Sequence, residues 1–279
     1  MFAFRWAGGG DAGVCSRRGY IVFLIFGAGA RTIGRMGVCD RRFFIPGVCR
    51  GGSVAVASEE AHHILRVLRL GVGDELTAFD GTGVECRCRI AEAAGGRLVV
   101  EVLECAAVSR ELPVSVTLAI AASKSRAMDL VVQKCTELGV ARLLPFGCER
   151  SVARGWDASK TDKWRRAAVE AAKQCGRNML PVVDGLVDVA GLADEIAGHD
   201  LAVVAAVAEK RCVLREVLRE FRDARRILFA IGPEGGFTED ELALLTAAGA
   251  RAVSLGRAVL RVETAAIAAL AMISYEFCG

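Results

Sequence analysis

Hydrophobic residues in the second half of the chain follow two kinds of pattern. Apolar side chains alternate with other residues over 114–120 and form continuous runs at 140–146, 200–207 and 226–230, which predicts strands. Over residues 128–138 they recur every three or four positions, which predicts an amphipathic helix. Because strands and helices alternate at this spacing, we expect a largely parallel α/β sheet.

The first half of the chain carries shorter apolar runs separated by glycines. Asp80-Gly81 and Gly95-Gly96 are typical of hairpin turns. Strands this short close most naturally into a small β-barrel, and we interpret residues 104–112 as the linker that follows it. The elements predicted before this linker are a strand at 53–56, a helix within 60–70, and strands at 75–79, 83–90 and 97–103.

A glycine-rich stretch, IGPEGGF from Ile231 to Phe237, follows the predicted strand at 226–230. Thr238 and Glu241 directly after it form a capping-box pattern, which predicts that a helix begins there. Glycines let a ligand approach the backbone closely, whereas the carboxylate of Glu234 argues against a phosphate cradle. An ordinary turn between a strand and a helix is the alternative interpretation of this stretch alone.

A second stretch, SLGRAVLRVETA from Ser254 to Ala265, follows a predicted strand at 251–255 and opens an apolar helix that runs to Phe277. Together the two stretches resemble the RsmE family of the SPOUT superfamily, which methylates N3 of a uridine in 16S ribosomal RNA. Val259 stands where that family more often has Ile, and Val262 where it often has Thr. The resemblance covers roughly residues 40–279.

The resemblance implies an α/β fold in two parts. Residues 36–108 would form a PUA-like RNA-binding β-barrel, and residues 109–279 a SPOUT methyltransferase domain with a C-terminal trefoil knot. It also implies S-adenosylmethionine as methyl donor, 16S ribosomal RNA or the small ribosomal subunit as partner, a homodimer built on the α/β domain, and a cytoplasmic location.

The same resemblance assigns the site. Loop residues would hold the donor, namely Ala208, Gly232, Glu234, Gly235, Gly236, Leu255, Gly256, Val259 and Leu260. Arg261 would stabilise the negative charge that develops on the uracil, because a fixed cation is most effective where charge appears. Glu234 or Glu263 would accept the N3 proton or hold the uracil edge, and the residues alone do not decide between them. Glu263 is equally suited to a helix start.

Several basic residues are candidates for RNA binding: Arg41, Arg42, Arg66, Arg69, Lys124, Arg150 and Arg177. Arginine suits bidentate contact with phosphate. The alternative for the 60–70 helix is a solvated face with one histidine in the core. Trp164 lies among basic residues of a predicted helix at 160–175, where it fits stacking on RNA and core packing equally well.

Composition excludes few classes of function. The net charge of +3 does not indicate a nucleic-acid binder, so an RNA site must come from local clustering. The 11 cysteines are scattered and the histidines number 3, so we expect no metal site and buried thiols in a reducing compartment. No apolar run reaches the roughly 18 residues of a membrane span. Residues 1–35 contain a passable signal peptide, but we favour a leader or disordered extension.

Two other functions remain open at this point. One is an α/β enzyme that binds a nucleotide phosphate at Gly232–Gly236, although the Walker lysine is missing. The other is a non-catalytic RNA-binding protein with a decayed enzyme domain, although both loop motifs are intact. Binding of S-adenosylmethionine, of a nucleotide, or of neither would separate the three.

Overall fold

The computed structural model describes residues 42–123, 125–151, 156, 158–206 and 212–278. The predictions for residues 1–35, Arg41, Lys124 and Ala208 lie outside this part of the chain. Among the described residues, no helix is long and apolar enough to cross a membrane.

The first part of the described chain forms a five-stranded sheet. Its strands are β1 (Arg42–Phe44), β2 (Ser53–Ala55), β3 (Glu75–Phe79), β4 (Val84–Ala94) and β5 (Arg97–Ala107), and helix α1 (Ser58–His62) lies between β2 and β3. The strand order is β1-β3-β4-β5-β2, with β1 parallel to β3 and the other pairs antiparallel. One π-helical turn, His63–Val67, extends α1.

The long hairpin of β4 and β5 is closed by Gly95 and Gly96, which have φ angles of 57° and 81°. Positive φ at both turn residues suits a tight hairpin, and the turn predicted there is therefore present. Strand β5 continues to Ala107, so the predicted linker at 104–112 starts too early. The reason is that Glu104 and Cys105 still pair with β4, although the sequence shows no clear alternation there.

The prediction that the cysteines are unpaired thiols is wrong for Cys86 and Cys105, which form a disulfide across β4 and β5. Direct pairing in the hairpin places their Cα atoms 4.1 Å apart. The two residues are 19 positions apart in sequence, so spacing alone did not reveal the pair. Among the described residues, Cys49, Cys88, Cys135, Cys148, Cys175 and Cys278 are free thiols.

A second sheet contains seven strands: β6 (Ser115–Ala121), β7 (Arg142–Gly147), β8 (Val182–Val183), β9 (Val187–Asp188), β10 (Leu201–Ala205), β11 (Arg226–Ile231) and β12 (Arg251–Val253). The order is β12-β10-β11-β6-β7-β8, with β9 also on β7, and every pairing is parallel. The predicted α/β architecture is therefore confirmed.

Helices cover both faces of this parallel sheet. The helices are α2 (Ser125–Glu137), α3 (Ala158–Cys175), α4 (Val189–Ile196), α5 (Leu214–Glu220), α6 (Glu239–Ala247) and α7 (Val262–Cys278). Helices α4 and α6 share one apolar core with the sheet, while α2, α3, α5 and α7 share the other. Strands that are covered on both faces have no solvent-facing side. Thr117 of β6 is therefore buried, although it lies between the alternating apolar positions of the strand.

The two sheets are tied together by a buried polar network. Arg42 on β1 pairs with Glu85 on β4 and donates to the backbone oxygen of Arg177 at 2.8 Å. Arg177 pairs in turn with Glu111, and Asn178 is completely buried beside it. Buried charges are tolerated when partners and hydrogen bonds compensate their lost hydration, and this network supplies both.

Candidate active site

A pocket lies at the carboxyl edge of the parallel sheet, where the chain leaves β10, β11 and β12. Ligand sites in open α/β sheets form at this edge, because loops from neighbouring strands meet there. The pocket is lined by Ala205, Ala206, Ile231, Gly232, Pro233, Glu234, Gly236, Val253, Ser254, Leu255, Gly256, Arg257, Ala258, Val259, Leu260, Val262 and Ala265.

The loop after β11 owes its shape to packing as well as to glycine. A Cβ on Gly232 would lie 2.8 Å from Cε2 of Phe237, so a side chain there would displace the ring. Phe237 is stacked on Phe146, with ring centroids 5.9 Å apart. Gly236 has a φ of 68°, a conformation that favours glycine, and its N–H donates to Pro233 at 2.8 Å.

The predicted capping box that ends this loop is confirmed. Thr238 Oγ1 accepts from the N–H of Glu241 at 3.3 Å, and Glu241 accepts from the N–H of Thr238 at 2.9 Å. These reciprocal bonds satisfy two N–H groups at the start of α6 and fix the angle at which the loop enters the helix.

The loop after β12 forms the opposite wall of the pocket. The N–H of Ser254 donates to Cys212 at 2.8 Å, and Gly256 adopts a φ of 135°. Val259 is 69% exposed, although its side chain is apolar, whereas Leu255 and Leu260 are partly buried. An apolar wall with exposed atoms is suited to a flat, weakly polar ligand group.

The structure brings most of the predicted cofactor residues together. Gly232, Glu234, Gly236, Leu255, Gly256, Val259 and Leu260 all line the pocket. Gly235 does not line it, and its backbone oxygen accepts a hydrogen bond from Arg150.

The predicted catalytic residues differ in position. Glu234 lines the pocket and is exposed. Arg261 is exposed directly after the pocket wall, and its guanidinium makes no hydrogen bond or ion pair within the described chain. Glu263 lies in the first turn of α7, where a negative charge is favourable, but the structure records no capping bond from its side chain.

Several pocket residues that the sequence did not identify come from strand ends. Ala205, Ala206 and Val253 lie where β10 and β12 finish, and Ile231 ends β11. The rule that ligands bind beyond the carboxyl ends of parallel strands was the available signal for them. Arg257 is an exposed basic residue of the same loop and also lines the pocket.

Two of the predicted RNA contacts are wrong for this structure. Arg42 and Arg177 are only 8% and 4% exposed, and their guanidinium groups bind protein acceptors. Arg42 also lies over the ring of Phe79, and burial is the main cause that lowers its pKa. A phosphate contact needs an accessible guanidinium, so these two residues have a structural role instead.

Arg66 and Arg69 are exposed on the segment that follows α1, as an RNA-contacting surface requires. Arg69 has a φ of 55°, which is uncommon for a residue with a side chain. His62 and His63 are exposed too, so the alternative with a histidine in the core is wrong. Trp164 is 1% exposed and donates to Asp129 at 3.0 Å, so its role is core packing.

The part of the chain that the structure describes contains no cluster of metal-ligating side chains. No group of three or more His, Cys, Asp or Glu side chains there is arranged to hold a metal ion.

The family profile of the RNA methyltransferase domain matches residues 110–274, and that of the RNA methyltransferase PUA domain matches residues 56–103. Curated relatives named ribosomal RNA small subunit methyltransferase E include a Synechocystis protein, 34% identical over 80% of this chain and 73% of its own. The Bacillus subtilis relative of that name is 31% identical over 80% and 90% of the two chains.

Solved structures point the same way. A putative methyltransferase from Legionella pneumophila, in complex with bound S-adenosylmethionine, is 32% identical with a TM-score of 0.76, covering 84% of this chain and 96% of its own. A ribosomal RNA small subunit methyltransferase E from Neisseria gonorrhoeae, bound to S-adenosylmethionine, is 30% identical with a TM-score of 0.76, covering 84% and 97%.

Proposed function

Because this chain belongs to the ribosomal RNA small subunit methyltransferase E family, we propose that it transfers a methyl group from S-adenosylmethionine to N3 of a uridine in 16S ribosomal RNA. The observation that carries this proposal is the pocket at the carboxyl edge of the sheet. Its walls are the two loops whose sequences carry the family motifs.

The chemistry of the pocket fits the proposed donor. S-adenosylmethionine supplies an electrophilic methyl group and a flat adenine. Gly232 and Gly256 line the pocket with backbone atoms alone, which suits the polar edge of a base, and Leu255 and Leu260 offer apolar contact to its faces. We propose that Ala208, outside the described residues, completes this site.

Uridine N3 carries a proton and becomes nucleophilic when that proton is removed. Glu234 is the better proton acceptor of the two candidates, because it lines the pocket and Glu263 does not. The negative charge that develops spreads onto O2 and O4 of the uracil. We assign its stabilisation to Arg261, whose guanidinium is exposed next to the pocket wall and has no competing partner within the described chain.

For the RNA itself we propose the exposed arginines Arg66 and Arg69, with Arg41 and Lys124, which the structure does not describe. We further propose that the five-stranded sheet is the core of a PUA-like barrel. The register shifts between β4 and β5 support it, because bulges bend long strands. Residues 36–108 and 109–279 are the two domains in this proposal.

We also propose the C-terminal trefoil knot of the superfamily. After β12 at the sheet edge, helix α7 returns to pack against β6, β11 and α2 at its centre. The connecting segment runs close to the chain after β10, since the N–H of Ser254 donates to Cys212. We place the enzyme in the cytoplasm as a homodimer built on this domain.

The test is binding followed by product analysis. Calorimetry with the full chain should show binding of S-adenosylmethionine and none of ATP or GTP. Incubation with small ribosomal subunits that lack the modification, followed by mass spectrometry of digested 16S RNA, should reveal 3-methyluridine. Methylation at a ribose hydroxyl or at another base would contradict the proposed nucleophile, and nucleotide binding alone would support the phosphate-binding alternative.

A further inference from the structure

The turn at the carboxyl end of β7, Cys148–Ser151, is closed by its own hydrogen bonds. The N–H of Cys148 donates to Ser151 Oγ at 2.9 Å, and the N–H of Ser151 donates to Cys148 O at 3.0 Å. Ser151 Oγ also donates to Cys148 O at 2.7 Å. The turn is therefore a small preformed unit, and we call it the β7 turn.

The β7 turn contacts the glycine-rich loop and its helix at two points. Arg150 Nη1 donates to the backbone oxygen of Gly235 at 2.8 Å. The N–H of Glu149 donates to Glu241 Oε1 at 2.7 Å. The other oxygen of Glu241 accepts from Thr238, so one carboxylate caps α6 and holds the β7 turn at the same time.

A side chain at Gly235 would make close contact with Arg150. A Cβ on Gly235 would lie 3.2 Å from Cδ and 3.4 Å from Cβ of Arg150. Gly235 is absent from the residues at positive φ and from the pocket lining, so neither backbone strain nor the pocket demands its glycine. Gly232 and Gly236 differ, since the ring of Phe237 excludes a side chain at the first and a φ of 68° favours glycine at the second.

The contacts at Gly235 give Arg150 a structural environment that the amino-acid sequence alone did not suggest. We propose that the β7 turn is a brace for residues 232–236, and that Arg150 is a positioning residue for the cofactor loop rather than a phosphate contact. Within the loop, the N–H of Gly236 bonds Pro233 O, which makes Pro233–Gly236 a tight turn. Arg150 binds the carbonyl oxygen of Gly235 in that turn, at a residue that does not line the pocket. This inference rests on the proposed function, because the loop it braces is the proposed donor site.

The first experiment replaces Arg150 with Ala. Loss of a hydrogen bond from a charged donor should raise the Kd for S-adenosylmethionine about tenfold in calorimetry. KM for the donor should rise in parallel. The kcat at saturating donor should stay within about twofold, because a residue that only positions the donor loop affects donor binding and not the chemical step. Arg150→Lys should restore part of the affinity, since an ammonium reaches the carbonyl but lacks the planar fork.

A matched control is Arg165→Ala. Arg165 on α3 also donates from its guanidinium to a backbone oxygen, that of Val183 at 3.0 Å, but Val183 lies in β8 at the far edge of the sheet. This variant should leave the donor Kd unchanged. Thermal unfolding without donor, compared for both variants, checks that Arg150→Ala keeps the fold.

A double-mutant cycle tests the contact itself. Gly235→Ala should weaken donor binding severalfold, because the added methyl group pushes Arg150 off the loop. If this contact is the reason, Gly235→Ala combined with Arg150→Ala should bind the donor no more weakly than Arg150→Ala alone. Additive losses would overturn the proposal, because they would give Gly235 a separate reason to be glycine.

Failure of the brace and failure of the proposed function have different signatures. If the unaltered chain binds no S-adenosylmethionine, the proposed function fails, whatever Arg150 does. If it binds the donor and Arg150→Ala keeps that affinity, the brace is wrong. A raised KM for RNA with a shallower dependence on salt would then identify Arg150 as a phosphate contact.

Discussion

Arg177 donates four hydrogen bonds from its guanidinium to protein acceptors. Its guanidinium donates to the backbone oxygens of Thr136 and Val140, at 2.9 and 3.0 Å, and pairs with the carboxylate of Glu111. The side chain is 4% exposed and that of Glu111 is 18% exposed. Removing one partner of such a pair leaves the other charge buried without compensation.

We therefore expect Arg177→Met to lower the free energy of unfolding by roughly 3–5 kcal/mol in urea titrations. The control is Arg110→Ala, because Arg110 bonds Gly176 O and Glu85 but its side chain is 37% exposed. That variant should lose no more than about 1 kcal/mol. A stable Arg177→Met protein with weakened RNA binding would restore the original prediction of an RNA contact.

Arg261 has the opposite environment, exposed beside the pocket wall and without a protein partner in the described chain. If it stabilises charge that develops on the uracil, Arg261→Ala should lower single-turnover methylation roughly 100-fold. Donor affinity in calorimetry should change little, and Arg261→Lys should recover part of the rate. Near-normal turnover, or a loss of donor binding in proportion to the rate, would make Arg261 a structural residue of the loop.

These arginines show why residue roles were harder to predict than motifs. Arg42, Arg150, Arg177 and Arg261 have the same side-chain chemistry, and each was predicted to contact RNA or substrate. What separates them is the acceptor that tertiary packing brings to each: a buried carboxylate, a loop carbonyl, or none. Such partners lie tens of positions away, for example 66 positions between Arg177 and Glu111. A local sequence pattern does not show which distant residue will be the hydrogen-bond partner.

Elements whose signals are local were predicted well. An apolar run predicted strand β11, the glycines predicted the turn after it, and the capping box predicted the start of α6. All three signals lie within about 15 residues, and the structure has all three elements. Helix α4 was missed, together with β8 and β9. It has 8 residues and contains Gly191, which lowers intrinsic helix propensity. Its position depends on distant contacts instead.

One of those contacts is an ion cluster. Arg142 on β7 pairs with Glu195 on α4 and with Asp184 just after β8, and the three side chains are 28–32% exposed. Hydrogen bonding from Arg142 lowers the pKa of the Glu195 carboxyl below its ordinary value. A carboxyl with a lowered folded-state pKa stabilises the fold above its unfolded pKa, and this contribution is lost as the pH falls through the folded value.

The cluster should therefore make part of the stability acid-sensitive. Arg142→Met should cost about 1 kcal/mol at neutral pH, a figure reduced for the partial exposure of the pair. The difference from the unaltered protein should shrink at about pH 3, because unfolded glutamate titrates near 4.3. Urea unfolding at both pH values measures this. An equal difference at both would mean that packing of the arginine stem, and not charge, is what Arg142 contributes.

Hydrogen bonds and an ion pair join the part of the chain that carries the five-stranded sheet to the part that carries the parallel sheet. Asn178 Nδ2 donates to Val108 O at 2.6 Å and to Gly83 O at 3.1 Å, and Lys173 on α3 pairs with Glu60 on α1. Two sheets of different architecture were predictable from the change in hydrophobic period. Their mutual attachment was not, because it depends on individual side chains that meet only after both sheets have formed.

The outer face of α7 supports the proposed homodimer. Helix α7 buries Ala266, Leu270 and Ile273 against the sheet, but Met272 and Tyr275 on its other side are 36% and 83% exposed. Exposed apolar side chains that share a helix face suit an interface with a second copy, since closed dimers bury the same patch on both partners.

Light scattering at micromolar concentration should give twice the chain mass of 29.6 kDa. Met272→Glu combined with Tyr275→Glu should shift the protein toward the monomer, because two charges would be buried at the interface without partners. Leu244→Glu is the matched control, since Leu244 is 44% exposed on α6, and it should leave the dimer intact. A monomer for the unaltered chain, or a dimer that survives the double substitution, would rule out α7 as the dimer surface.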